Sequence, residues 1–267
     1  MPLWKWMLCL VFGVVIFMAL YVLALMAGAR LAEAWWQRAL IYTGVGLLGL
    51  FFYAVWTNLT ERRPVTELSL KSFLPGLGGG FLLGVVYFAC VVGIMALLGA
   101  FRITEAHFFG LTFVPLLMYY FVVAVFEEIV FRGIFFRLID DRWNTAVALI
   151  LSAVAFGAVH MFNPGATLWS AAAIAIEAGL LLGVAYKCSG NLWLPIGIHW
   201  AWNFVQGPVL GFAVSGNDSP YRIFSTILTG SDWVTGGIFG AEASLPAVGM
   251  GLLFTVIFLC CCKKDER

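Results

Sequence analysis

The chain has 267 residues, 63% of them hydrophobic and only 11% charged, with a net charge of +1 and a mean hydropathy of +0.99. A water-soluble globule has nowhere to put that much apolar surface, and so small a charge supplies no field for a nucleic acid. A soluble domain, a nucleic-acid binder and a disordered chain are excluded, and the eleven Trp suit a protein with two lipid–water interfaces.

Stretches free of Asp, Glu, Lys and Arg run over 6–29, 39–60, 72–101, 106–126, 143–176, 188–217 and 243–262. A spanning helix needs about 20 apolar residues, and a barrel strand only about 10 with alternating polarity. Cutting the runs at charges and Gly/Pro breaks predicts an all-α polytopic bundle of about eight transmembrane helices. They fall near 5–29, 39–58, 77–99, 112–138, 145–163, 166–187, 191–213 and 246–262. Asn163-Pro164-Gly165 is the only break between the fifth and sixth, so that turn must be tight. The first apolar run exceeds the roughly 7–15 residues of a signal-peptide core and is read as an uncleaved span.

Eight spans put both termini on one side. That side collects Lys5, Arg62, Arg63, Lys71, Arg132, Arg137, Arg142, Lys187, Lys263, Lys264 and Arg267, which is 11 of the 15 basic residues. Arg30, Arg38, Arg102 and Arg222 fall on the other. The excess of Lys and Arg predicts cytoplasmic termini, in the plasma (inner) membrane if the source is bacterial. A reducing compartment then predicts free thiols for the cysteines near that face, Cys9, Cys188 and Cys260 to Cys262. The Cys run is read as a helix end rather than an acylation or metal site, since no second ligand pair has zinc spacing.

Ionisable groups in lipid are costly and mark functional candidates. Five lie well inside the predicted spans: Glu127, Glu128, His160, Glu177 and His199. His107, at the mouth of the fourth span, is read as a solvated loop residue. Glu128 and Arg132 stand at i,i+4 on one helical face, and Glu127, rotated by roughly 100°, points elsewhere. Arg132 is expected to meet Glu128 while its long stem reaches toward water. His199 and Asn203 share a face at i,i+4. At about 1.5 Å per residue, Glu127, His160, His199 and Asn203 lie about 12–25 Å from the cytoplasmic ends of their helices, overlapping near mid-membrane. Gly157, Ala158, Gly179 and Gly183 would allow the close helix contact such a site needs.

In order on consecutive apolar segments stand Glu127-Glu128-x-x-x-Arg132, Phe156-x-x-x-His160 and His199-x-x-x-Asn203. With the run from Glu177 through Gly183 to Trp193, this combination resembles the CPBP family of intramembrane proteases, which includes the type II CAAX prenyl proteases, over about residues 112–208. The resemblance implies a site facing the cytoplasm, with Glu127 and His160 activating water. It implies that His199 and Asn203 stabilise the oxyanion, and that Arg132 orients the carboxylates with Glu128 in support. No Ser or Cys forms an evident nucleophile motif with either His, so activated water fits better than a covalent intermediate. Glu127, His160 and His199 also make a His₂Glu donor set, so one divalent metal, zinc, is an optional cofactor rather than an obligatory one. Glu177 departs from the family pattern. It is read as buried structure, with a partner of His199 or a cavity wall as alternatives.

The predicted organisation is three N-terminal helices over 1–111, a catalytic core over 112–208, and an outer loop with a last helix over 209–267. The expected activity is endopeptidase cleavage of a membrane-associated or prenylated (CAAX-type) protein or peptide, with the lipid bilayer as the other partner and no nucleic acid. Two other classes stay open. A proton-coupled transporter would also carry Glu and His at mid-membrane, though no paired Gly/Pro-broken helices appear in matching halves. A non-catalytic scaffold or immunity protein could share the fold.

Overall fold

The computed structural model describes residues 1–219 and 221–265, the side chains of 263–265 excepted. The side chains of Lys263 and Lys264, and Arg267, which enter the charge count, lie outside the described residues. Helix α1 is Leu3–Arg30, α2 Trp35–Glu61 and α3 Phe73–Leu97. Helix α4 starts at Val114–Glu128 and runs on through Ile129–Phe136 to Arg137–Arg142. Helix α5 is Thr145–Val159, begun by Asn144, whose side chain accepts from the Val147 amide at 3.0 Å. Helix α6 combines Leu168–Ile174, Ala175–Leu180 and Leu181–Ser189, begun by a Thr167–Ser170 capping box. Helix α7 is Trp193–Phe204 with a final turn Val205–Val209, and α8 is Leu245–Asp265.

Seven of these segments are long and apolar enough to span a bilayer, and the chain is a multi-pass membrane protein. Large apolar side chains on the outer faces of α1, α2 and α8 stay exposed, as lipid-facing surface requires. Exposed Trp4 and Trp143 stand at the end of the bundle that holds the termini, and Trp35, Trp36 and Trp233 at the other. The predicted span over 191–213 is shorter than expected. Its helix, α7, is 12 residues long with a five-residue last turn. It is buried along Ile196, Ile198, Ala201 and Trp202 and packs on α3 so closely that a Cβ at Gly80 or Gly84 would strike the carbonyls of Leu194 and Ile198. A helix wrapped by others needs no lipid-facing length, and Pro208 in its last turn removes a backbone donor.

The region after α7 is not a plain loop. Phe224–Leu228 (β2) pairs antiparallel with Phe101–Ala106 (β1), a ribbon added to the all-α frame. His107 is only half-buried and meets the Ser225 hydroxyl at 2.9 Å beside this ribbon. Residues 211–217 and 236–244 then fold back against the bundle, with Phe212, Val214, Phe239 and Ala241 buried. Near the terminus face two of the cysteines are neighbours: Cys188 at the end of α6 stands beside Cys262 of α8, with Cα atoms 5.4 Å apart. Composition could not show that α6 and α8 lie side by side there. Cys9, Cys90, Cys260 and Cys261 are free.

Candidate active site

Glu127 and Glu128 end the regular part of α4, and a π-helical stretch follows at once. Two more such stretches hold Glu177 and follow Asn203. π turns are rare and concentrate at functional sites; here the stretch with Glu177 and Ala178 lines a cavity of about 220 Å³, and the other two begin within two residues of its lining residues Glu127 and Asn203.

The two neighbouring carboxylates diverge as helical geometry requires. Glu127 lines the cavity, where the Tyr21 hydroxyl of α1 donates to its Oε1 at 3.3 Å. Glu128 turns into packed protein and is fully buried. Its Oε1 accepts from Arg132 Nη1 at 2.7 Å and faces His199 Nδ1 at 2.9 Å. His199 Nε2 in turn stands 3.8 Å from Glu127 Oε2. A chain Arg132–Glu128–His199–Glu127 thus joins α4 to α7 with alternating basic and acidic groups.

Arg132 does not reach toward water as its length suggested. It is fully buried, donates from Nη2 to the carbonyls of Ala178 and Gly179 at 3.3 and 3.1 Å, and lies 4.7 Å over the Phe156 ring. Those carbonyls sit in the π stretch of α6, and Gly179 brings α6 against Ala153 of α5. Guanidinium geometry can serve a carboxylate and two carbonyls together, which is why a buried cation is tolerated here.

His160 ends α5, and its Nδ1 lies 2.6 Å from the Phe156 carbonyl. A carbonyl only accepts, so that nitrogen carries the proton and Nε2 keeps the lone pair in the neutral ring. Phe156 packs on both histidines, with ring centroids 4.8 Å from His160 and 6.0 Å from His199. Asn203 lies one turn beyond His199 and lines the same cavity. Glu127, His160, His199 and Asn203 therefore meet. Glu128 and Arg132 stand behind them, outside the cavity lining.

Glu177 is fully buried in the cavity wall. The Tyr87 hydroxyl of α3 donates to its Oε2 at 2.9 Å, and its Oε1 has no partner. Glu242 escaped the sequence reading. It stands in the segment just before α8, yet its carboxylate lines the cavity. Its Oε2 accepts from the Ser215 amide at 2.6 Å, and the Ser215 hydroxyl donates to its Oε1 at 3.1 Å. Ser215 has φ 47°, a conformation costly for a side chain other than glycine, and this carboxylate holds it there. Burial pushes the Glu242 carboxyl up to about 7, against the lowering effect of the bonds from Ser215 and Gln206.

Among the described residues no three His, Cys, Asp or Glu side chains are grouped as a ligand set, while His160 and His199 each engage Nδ1 and turn Nε2 toward the cavity side.

The segment that supplies all six of the motif side chains is also the segment that matches a known family. No curated protein and no solved structure matches the chain. Residues 109–205 match the family described as type II CAAX prenyl endopeptidase Rce1-like, a match consistent with the CPBP intramembrane proteases.

Proposed function

We propose that this protein is an intramembrane endopeptidase that hydrolyses a peptide bond with water activated by Glu127 and His160. The observation that carries the reading is the convergence of Glu127, His160, His199 and Asn203, from three helices, on one cavity inside a membrane bundle. Amide hydrolysis needs a base for water, a proton for the leaving amine and donors for the developing oxyanion. Glu127 is the base that faces open volume. The free Nε2 of His160 accepts or returns a proton beside it. Asn203 supplies one oxyanion donor, and His199, whose Nδ1 donates to the Glu128 carboxylate, supplies a second from Nε2 when both ring nitrogens carry a proton. Glu128 and Arg132 touch no substrate in this scheme. Glu128 holds His199 through Nδ1, so that Nε2 faces the cavity, and Arg132 balances Glu128. The substrate is a membrane-associated peptide or protein segment. No step is assigned to a metal, and the expected turnover is insensitive to chelators.

The test is peptide turnover by the purified full-length protein. Glu127→Ala should abolish it with the thermal transition unchanged. Full activity in that variant, or loss of activity on chelation with restoration by zinc, overturns the mechanism.

A further inference from the structure

We infer that the catalytic cavity is entered from the end of the bundle opposite the chain termini, and that its substrate is a peptide segment exposed on the non-cytoplasmic side of the membrane. The substrate part rests on the peptidase reading above; the direction of entry does not.

The end of the bundle that holds the termini is well marked. Trp6 near the start of α1 donates to the Leu138 carbonyl at the end of α4, and Lys187 at the end of α6 pairs with Asp140 at 2.7 Å. Cys262 of α8 lies beside Cys188 of α6, with Cα atoms 5.4 Å apart. Between this end and the catalytic side chains the bundle is closed. Arg132, Phe136, Leu181 and Ile196, one to three turns toward the termini, are all fully buried. The cavity lies in the other half. Beyond the catalytic groups its wall is made by Asn163, Val214, Ser215, Asn217 and Glu242, all in connections at the far end. Tyr119, Tyr120 and Asn217 also border a second hollow, lined by Glu33, Arg38, Thr112 and Asp218 where α1 meets α2 and α4 begins. Asn217, in the wall of both, is exposed together with Thr112 and Asp218, so the cavity wall reaches solvent at that face.

Charge then orients the molecule. Leaving out the buried Arg132, ten Lys and Arg residues belong to the terminus end and only Arg30, Arg38, Arg102 and Arg222 to the cavity end. Short connections rich in Lys and Arg stay in the cytoplasm. The closed end therefore faces the cytoplasm and the open end faces out. A cytoplasm-facing site, which the family resemblance implied, and cytoplasmic termini cannot both hold in this fold. A CAAX-type tail presented from the cytoplasm would meet the plugged end.

The test uses the full-length chain with its six cysteines replaced by Ser and one cysteine restored, as Asp218→Cys or Arg142→Cys. An impermeant maleimide should label Asp218→Cys in intact cells and Arg142→Cys only after permeabilisation. As a second measurement on the unsubstituted chain, a C-terminal alkaline phosphatase fusion, active only outside the cytoplasm, should be inactive. The reverse labelling pattern or an active fusion overturns the inference. Turnover is read separately, with a pool of impermeant fluorogenic peptides added to right-side-out or to inverted vesicles. Cleavage by right-side-out vesicles alone supports the substrate assignment, and cleavage by inverted vesicles alone refutes it. No cleavage from either side, with the labelling as expected, refutes the peptidase reading and leaves the direction of entry standing.

Discussion

Glu67 and Glu242 are two nearly fully buried carboxylates at opposite ends of the same bundle, and their surroundings push them in opposite directions. Burial raises the proton affinity of Glu67, but hydrogen bonds from Arg63 and Tyr53 and the Arg63 charge outweigh it and hold the group below its ordinary value. Arg63 Nη1 reaches its Oε2 at 2.8 Å, and Arg137 grips the adjacent Glu61 with two bonds of 2.6 and 2.7 Å. Glu242 has hydroxyl, amide and carboxamide partners but no cation, and burial wins. The terminus end thus neutralises its charges in pairs, which is architecture. The cavity end keeps Glu127, Glu177 and Glu242 without a Lys or Arg in the wall.

If that contrast is right, substitutions in the cavity should cost turnover and spare the fold, and those at the terminus end should do the reverse. The largest expected effect is on catalysis. Glu127→Gln and His160→Ala should each lower kcat/KM toward the upper end of the 10²–10⁴ range of acid–base groups. The double variant should be little worse than either, since groups that act as a unit share one loss. Additive losses in single-turnover kinetics would separate the two residues. Next, Arg137→Ala leaves Glu61 without its bidentate partner. It should cost about 3–5 kcal/mol of stability, as breaking a buried pair does, with turnover per folded molecule retained. Denaturation in detergent, normalised to active-site content, measures both. A stable but inactive Arg137→Ala would erase the distinction between the two ends.

Asn203→Ala should lower kcat by about 10²–10³, the cost of one oxyanion donor, with KM little changed. A loss confined to KM would make Asn203 a ground-state contact. The smallest effect sharpens the comparison through pH. Glu242 binds its proton more tightly folded, at about 7, than at its ordinary value of 4.5. The folded state therefore carries more protons between those values, and stability should fall as pH rises from about 4.5 to about 7. Glu242→Gln should flatten that fall and be more stable than wild type at pH 8, by on the order of 3 kcal/mol at most. A thermal-shift series from pH 4.5 to 8.5 reads it. Glu67, held low, should show the opposite sign, its stabilisation lost as pH drops below the ordinary carboxylate range.

The catalytic candidates were legible in the sequence because lipid makes them conspicuous. Glu127, His160 and His199 interrupt apolar runs where a charge or imidazole has no cheap excuse, and the i,i+4 spacing of Glu128 to Arg132 survives as a 2.7 Å contact. Glu242 was not legible. It stands just before an apolar run, where an acid reads as an interfacial loop residue, and its partner Ser215 is 27 positions away. Tyr21 was hidden for the same reason, since 106 positions separate it from Glu127. Arg132 was placed on the correct face with the wrong surroundings. Helical spacing cannot reveal that the π stretch of α6 offers it two carbonyls.

By itself the sequence determined that this chain spans a membrane, because its composition leaves water no surface to hold in solution. It also marked which side chains are the candidates for chemistry, because an ionisable group at helical depth carries a large desolvation cost. Only the tertiary structure decided which end of the bundle is plugged and which is open. Depth along a helix is a local quantity, set by residue count and rise. An opening is a property of the space between helices, and here it depends on where segments 211–217 and 236–244 return to pack and on which buried side chains fill the other end.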